Sequence, residues 1–231
     1  MRARIAVACA RGGRDPSEVL LIAVSKTVPS EVVRAAVEAG CTDFGENYVD
    51  ELVEKAATVS GARWHFIGKL QSGTVRHVAD LADVVHSLEP GAPLERLARR
   101  AAGRGRPIAG LIQVDFTGRR QGVAPDDLPA FADRTAALEG IRPVGLMTIP
   151  PPTADPEGAR PYFRRLRELR DGLADRHGEL RELSMGMSAD FEIAIEEGAT
   201  MVRVGTALFG ERPAPGEGRD HAAGGGVGER A

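Results

Sequence analysis

The sequence has little cysteine: Cys9 and Cys41 lie far apart, and no CxxC pair occurs. Its histidines are not clustered at the spacings that metal ligands require. The pattern therefore gives no support to a disulfide framework or a zinc site. We expect a protein of a reducing compartment, in which Cys41 is a small buried apolar residue rather than a nucleophile.

The sequence also lacks a long apolar run near its start and an excess of positive charge. The apolar stretch from Ile5 to Ala10 is too short for a secretory signal core or a membrane span. The net charge of -3 argues against nucleic acid as the main partner, because neutralising phosphates requires a concentrated Lys/Arg surface. We therefore expect a cytoplasmic protein with a small-molecule partner and no membrane or nucleic-acid role.

The 231 residues are 42% hydrophobic and 27% charged, which is typical of a globular protein with one core. Apolar strand-like runs alternate with helical patterns, and this alternation indicates βαβ units and a parallel sheet. The predicted strands are LLIAVSK, TDFGENY, WHFIGKL, DVVHSLE, AGLIQVDF, IRPVGLMTI, LRELSMGMS and TMVRVGTALFG. Eight such strands in a chain of this length predict the α/β fold class, as a single (β/α)8 TIM barrel.

The predicted barrel domain covers residues 1–212, and residues 213–231 are predicted to form a disordered C-terminal tail. The tail has no large apolar residue except Val227. Such a segment does not bury enough surface to offset the loss of chain entropy on folding.

Lys26 ends the first predicted strand, on the barrel face where active sites are built. A partly desolvated lysine at this place has a lowered pKa, so its neutral amine is available to condense with an aldehyde. The same position is also compatible with a lysine whose aliphatic stem covers the barrel mouth while its ammonium stays in water. The strand alone does not decide between the two.

The segments SMGMS and VRVGTALFG follow or span the seventh and eighth strands, where barrels of this class often bind phosphate. Small residues there let backbone N–H groups approach a ligand closely, although they also serve tight turns. These small residues are Gly186, Ser188, Gly205 and Thr206. Together with Lys26 they suggest a phosphorylated aldehyde as ligand. The segments match neither a GxSxG nucleophile elbow nor a Walker A loop.

Five segments in consistent order carry a family resemblance: AVSKTVP, FGENYVDEL, WHFIGKLQS, GLMTIP and LSMGMSADFEIAIEEGATMVRVGTALFG. They resemble the pyridoxal phosphate homeostasis (YggS/PROSC) family. The resemblance implies a barrel like the N-terminal domain of alanine racemase, with pyridoxal 5′-phosphate in a Schiff base with Lys26. It further implies roles for seven residues: Ser188, Gly205 and Thr206 at the phosphate, Arg203 at the pyridine nitrogen, and Asn47, His65 and Met147 lining the pocket.

Two functions compatible with this site are a carrier that buffers pyridoxal phosphate and a pyridoxal phosphate-dependent amino-acid racemase. Two-base racemisation needs a second acid/base group, usually a tyrosine, and neither Tyr48 nor Tyr162 has an evident path to the cofactor. The carrier is therefore favoured. It would maintain vitamin B6 and amino-acid homeostasis without robust catalysis, supply apo pyridoxal phosphate-dependent enzymes, and be a monomer or weak dimer. An ordinary sugar-phosphate barrel enzyme would need acid/base carboxylates at several strand ends, whereas Glu46 and Asp115 are the only obvious candidates in the sequence.

Overall fold

The computed structural model describes residues 1–210, which form a closed barrel of parallel strands in the order β1 to β8. The described chain therefore has the (β/α)8 TIM-barrel architecture that the alternating pattern predicts. The strands are β1 Leu20–Val24, β2 Asp43–Glu46, β3 Arg63–Phe66, β4 Val84–Leu88, β5 Ile108–Gln113, β6 Ile141–Met147, β7 Glu182–Ser184 and β8 Met201–Val204.

Helices lie before, between and after the strands. They are α1 Arg2–Arg11, α2 Ser30–Glu38, α3 Val49–Thr58, α4 Val75–Leu81, α5 Ala92–Gly103, α6 Leu128–Ala136, α7 Arg160–Gly172, α8 Phe191–Glu196 and α9 Thr206–Phe209. Helix α5 shows why these segments are helical, since its buried residues Leu94, Leu97, Ala98 and Ala101 follow the i, i+3, i+4, i+7 spacing of one apolar face.

The eight predicted strands are all present, but the eighth is shorter than its apolar pattern suggests. It ends at Val204, and the following Thr206–Phe209 segment is a helical turn. An apolar run does not distinguish a strand from a short helix, and Gly205 separates the two here. The proposed tail, residues 213–231, lies outside the described residues.

The barrel interior has two parts of different polarity. An apolar cluster inside the barrel is formed by Ile22, Val84, Ala109, Leu111, Met147 and Met201. Four buried polar side chains share the interior with this cluster: His65, His86, Ser184 and Arg203. Buried polar groups are costly unless they are hydrogen-bonded, so their partners decide whether the interior is stable.

Strands β1 and β8 close the barrel along four paired positions, from Leu20 opposite Met201 to Ala23 opposite Val204. Arg14 supports this closure from outside, because its Nη1 donates to the carbonyl oxygens of Ile195 at 3.0 Å and Ala199 at 2.6 Å. Within residues 1–210, no helix combines the length and apolar character needed to cross a membrane.

Candidate functional site

A cavity of about 520 Å³ opens at the end of the barrel where the strands terminate. This size suits a small-molecule ligand, and the carboxyl ends of the strands are where TIM barrels place their sites. The wall is formed by Val24, Lys26, Asn47, Ile67, Arg120, Met147, Ile149, Pro150, Pro152, Met187, Ser188, Ala189, Arg203, Gly205 and Thr206.

Lys26 follows β1 and lines this cavity as a half-buried side chain. Its two chain neighbours are both anchored. Ser25 is fully buried and donates its hydroxyl to Glu46 Oε1 at 2.7 Å, while the Thr27 amide donates to Glu51 Oε2 at 2.7 Å. Thr27 has φ of 62°, an unfavourable conformation for a β-branched residue. The backbone that presents Lys26 is therefore held from both sides.

Helix α3 supplies Lys55, whose ammonium contacts the groups that hold the two neighbours of Lys26. Lys55 is almost fully buried, and its Nζ donates to the Ser25 carbonyl oxygen, Glu46 Oε1 and Glu51 Oε2, each at 2.7 Å. An ammonium has three protons to donate, so these contacts satisfy it completely. We call Ser25, Glu46, Glu51 and Lys55 the Lys55 cluster. The contacts within the Lys55 cluster use all three ammonium protons of Lys55. Lys26 is the lysine that lines the cavity.

Burial raises the pKa of Glu46, although the charge and hydrogen bond of Lys55 and the hydroxyl of Ser25 oppose this effect. Its second oxygen, Oε2, is buried without a hydrogen-bond partner among the described residues. Glu46 was a candidate acid/base residue for a sugar-phosphate enzyme. The structure instead uses it in the Lys55 cluster, and it is not on the cavity wall.

Asp115, the other carboxylate of that alternative, shapes a loop rather than the cavity. Its oxygens accept from the Thr117 amide and hydroxyl at 2.9 and 2.8 Å and from the Arg120 amide at 2.9 Å. Burial opposes ionisation, but these hydrogen bonds outweigh it and lower the pKa of Asp115. The loop carries Arg120 to the cavity wall, a position that the sequence analysis did not identify.

Arg203 brings a buried cation to the cavity from β8. Its Nη1 donates to Ser184 Oγ at 2.7 Å and its Nη2 donates to the Thr148 carbonyl oxygen at 3.0 Å. Burial lowers the pKa of Arg203 to about 10, an effect that the nearby Asp190 opposes. The guanidinium is therefore still protonated at neutral pH.

The loops after β7 and β8 meet at the same cavity. Ser188 Oγ accepts from the Ala207 amide in α9 at 3.4 Å, so the two predicted phosphate segments are in contact. Gly186 has φ of 88°, and a Cβ there would lie 2.5 Å from the Ala194 side chain and 2.9 Å from the Phe191 backbone. Only glycine fits this close passage of the loop over α8.

Seven of the eight predicted site residues line this one cavity, namely Lys26, Asn47, Met147, Ser188, Arg203, Gly205 and Thr206. His65 does not line it: its ring is fully buried inside the barrel between Asp43 and His86. A β3 side chain that points inward can lie in the interior or at the mouth, and the sequence alone does not tell which.

The remaining candidates fit structural roles. Within the described residues, no group of three or more His, Cys, Asp or Glu side chains is placed to hold a metal ion. Tyr48 is 55% exposed, and Tyr162 packs its ring against Phe116 with centroids 5.9 Å apart. Neither tyrosine is on the cavity wall.

Three observations make the cavity suitable for a phosphorylated aldehyde. One lysine reaches it, a buried arginine faces it, and two loops of small residues meet at its rim. In addition, Asn47 lines the cavity while its Oδ1 is buried without a hydrogen-bond partner among the described residues. Buried polar atoms are normally satisfied, so an unpartnered one at a cavity wall is consistent with a ligand or water that completes it.

Residues 8–213 match the family model described as "Alanine racemase, N-terminal domain". The chain belongs to this family. Two relatives within it are named "Pyridoxal phosphate homeostasis protein". The Pseudomonas aeruginosa relative is 46% identical, with 91% of this chain and 92% of the relative covered, and the Aquifex aeolicus relative is 44% identical, with 90% and 94% covered. The family resemblance inferred from the motifs is confirmed.

The fold of the family is also found among solved structures. PipY of Synechococcus elongatus, solved with PLP bound, superposes with a TM-score of 0.80 at 38% identity. The match covers 90% of this chain and 99% of PipY. The similarity therefore extends over nearly the whole described barrel, including the strands that end at the cavity.

Proposed function

We propose that this chain binds pyridoxal 5′-phosphate in the cavity at the barrel mouth and buffers it for delivery to other enzymes, so maintaining vitamin B6 and amino-acid homeostasis without robust catalysis. The observation that carries the proposal is that Lys26 and Arg203, together with Ser188, Gly205 and Thr206, line one cavity. The names of the relatives and the PLP-bound PipY structure support the same ligand.

Each of these residues has a defined chemical task in the proposal. The Lys26 amine would condense with the ligand aldehyde, with loss of water, because Lys26 is the lysine on the cavity wall. Ser188, Gly205 and Thr206 bind the phosphate through hydroxyl and backbone N–H groups. Asn47 Oδ1 and the Met147 side chain complete the wall around the ring.

Arg203 determines which chemistry the bound group supplies. Pyridoxal phosphate acts as an electron sink most strongly when its ring nitrogen is protonated. The guanidinium of Arg203 only donates hydrogen bonds, so the ring nitrogen facing it would accept one and stay unprotonated, which leaves the electron sink weak. This favours binding and release over carbanion chemistry.

The residues around the cavity also weigh against a racemase. Two-base racemisation needs a second acid/base group opposite the lysine. Among the described residues, neither tyrosine lines the cavity, and the two carboxylates considered above are engaged elsewhere. We therefore assign Lys26 the role of a ligand-binding residue, and the recipients we propose are apo pyridoxal phosphate-dependent enzymes.

The binding step is tested by a visible absorption titration of the purified protein with pyridoxal phosphate, with Lys26→Ala as the control. We expect a new absorption band that survives desalting in the wild-type protein and is absent from the variant. No retained band in the wild type, or an equal band in Lys26→Ala, would reject the proposed site.

The carrier role is tested in two further assays on the loaded protein. We expect the loaded protein to restore more activity to an apo pyridoxal phosphate enzyme than a Lys26→Ala control that has been loaded and desalted in the same way. We also expect L-alanine in deuterium oxide to show no exchange at Cα above a free-cofactor control. Exchange at about one per second or faster, which is typical of enzymes, would reject the carrier in favour of a catalyst.

A further inference from the structure

Five polar side chains form a continuous hydrogen-bonded chain through the barrel interior. Asp43 Oδ1 lies 2.8 Å from His65 Nε2, and His65 Nδ1 lies 2.8 Å from His86 Nε2. His86 Nδ1 lies 2.8 Å from Ser184 Oγ, which accepts from Arg203 Nη1 at 2.7 Å. We call Asp43, His65, His86, Ser184 and Arg203 the buried relay.

The relay links the two ends of the barrel. Asp43 is the first residue of β2, and Arg63 Nη1 approaches its Oδ1 at 3.6 Å from a half-exposed side chain at the start of β3. At the other end, Arg203 lines the cavity at the carboxyl ends of the strands. All five members are buried, and both histidines and Ser184 are fully inaccessible. No role is assigned to Asp43, His86 or Ser184 in the proposed binding of the ligand.

With one proton on each histidine ring, the acceptor at Asp43 sets the direction of every hydrogen bond up to Ser184. Arginine only donates, so Ser184 Oγ accepts from Arg203 and its own hydroxyl proton is free to point to His86 Nδ1. His86 then carries its proton on Nε2 and donates to His65 Nδ1. His65 in turn carries its proton on Nε2 and donates to Asp43, an ionised carboxylate that only accepts.

The environment of the members agrees with this direction. Burial, together with the neighbouring His65 and Arg203, lowers the pKa of His86 well below its ordinary value. Burial opposes ionisation of Asp43, but the hydrogen bonds from His65 and Thr42 outweigh it and lower its pKa. A neutral His86 on one side of His65 and an ionised Asp43 on the other fit this direction.

We propose that Asp43, His65, His86 and Ser184 are positioning residues that hold the Arg203 guanidinium against the ligand ring. The acceptor at Asp43 sets the tautomer of both histidines, and the acceptor nitrogen of His86 then directs the Ser184 hydroxyl proton away from Arg203. If His86 carried its proton on Nδ1, Ser184 Oγ would accept from both His86 and Arg203, and its own hydroxyl proton would lose the His86 acceptor. The proposal rests on the proposed function only in taking Arg203 to face the bound ring.

The direction of the relay is tested without any ligand, by ¹⁵N NMR of the histidine rings in the full-length protein at neutral pH. Resonances are assigned with His65→Gln and His86→Asn, and the nitrogen shifts report which ring nitrogens carry protons. We expect each ring to carry a proton on Nε2 and none on Nδ1. A proton on Nδ1 of either ring would overturn the proposed direction.

The positioning role is tested by pyridoxal phosphate titration of Ser184→Ala and Ser184→Thr, with Thr135→Val as the matched control. Thr135 is also fully buried, but its hydroxyl donates within α6 to the Phe131 carbonyl oxygen, away from the cavity. We expect Ser184→Ala to bind about three- to tenfold more weakly, as expected for one lost buried hydrogen bond. Ser184→Thr should restore affinity, and Thr135→Val should match the wild type.

A spectroscopic comparison separates positioning from a general packing defect. Ser184→Ala should shift both the ¹⁵N resonance of His86 Nδ1 and the absorption maximum of the bound cofactor, whereas Thr135→Val should shift neither. Unchanged affinity and spectrum in Ser184→Ala, or equal losses in Thr135→Val, would overturn the role. If the wild type itself retains no pyridoxal phosphate, the proposed function is wrong. The histidine tautomers, measured without ligand, still show whether the hydrogen bonds of the buried relay run in the proposed direction.

Discussion

Glu51 Oε2 accepts a hydrogen bond from the backbone amide of Thr27 at 2.7 Å. Thr27 is the one non-glycine residue with positive φ in the described chain, and it directly follows Lys26. Such a conformation costs on the order of 1–3 kcal/mol and persists only where neighbouring contacts hold it. The link between α3 and Thr27 therefore sets the direction in which Lys26 leaves β1.

This relationship predicts that Glu51→Ala slows the loading of Lys26 with pyridoxal phosphate and lowers the free energy of unfolding by about 1–3 kcal/mol. Glu51→Gln keeps an acceptor for the Thr27 amide and should load at close to the wild-type rate. Stopped-flow absorption and urea unfolding measure the two effects. Loading of Glu51→Ala at the wild-type rate would show that the Thr27 contact does not orient Lys26.

Borohydride reduction of the loaded protein should place the pyridoxyl group on Lys26. The other lysines are Lys55, whose ammonium is buried with three acceptors, and Lys69, which is exposed and lines an adjoining cleft. Peptide mass mapping of the reduced protein distinguishes the three positions. A major modification at Lys69, or at Lys55, would contradict the assignment of the site.

Replacing Ser188 and Thr206 together by alanine should weaken pyridoxal phosphate binding at least about tenfold, because each hydrogen bond to a charged group contributes roughly 1.5–3 kcal/mol. Equilibrium titration measures the change, and pyridoxal without phosphate serves as the internal comparison. Pyridoxal should bind to the variant and to the wild type with nearly equal affinity. A parallel loss for both ligands would point to a disturbed cavity and not to a phosphate contact.

The buried His86 predicts a stability that decreases in mild acid. Its pKa in the folded protein is well below the ordinary value of 6.5, so below that pH the unfolded chain binds a proton that the folded chain does not. The free energy of unfolding should therefore fall as the pH drops from 7 to 5, by up to about 1.4 kcal/mol per unit for this group. Asp43, with a pKa below 3.8, stays ionised throughout this range.

Urea unfolding of the wild type and His86→Asn at several pH values isolates that contribution. Asparagine offers an oxygen near the position of Nδ1 but does not titrate. The variant should lose less stability than the wild type over the same pH range. Equal slopes would mean that His86 is not the group responsible.

The barrel and seven of the fifteen cavity-wall residues were predictable from the sequence for local reasons. Strand β5 is buried at every position and reads as an apolar run up to its last residue, Gln113, and Lys26 comes two residues after the apolar run of β1. Strand ends in a parallel barrel meet at one face, so residues that follow β1, β7 and β8 are brought together whatever their spacing in the chain.

The buried relay and the Lys55 cluster were not predictable in the same way. His65 and His86 contact each other only through the register in which His65 pairs with Val84, and that register is a property of the assembled sheet. Lys55 lies on an amphipathic helix where lysine is usually exposed. Its burial follows from Glu46 at the end of β2, which only the packing of α3 on the barrel brings within reach.

The pairing of β1 with β8 has a consequence for how the molecule assembles. These two strands are the most distant in the sequence, yet Lys26 follows one of them and Arg203 lies within the other. Until the last strand docks beside the first, a nascent chain has only fragments of the cavity and has little means of capturing cofactor. A ligand bound by residues of both strands then stabilises the closed barrel. The gain is about 2.7 kcal/mol when the free ligand concentration is a hundred times its dissociation constant.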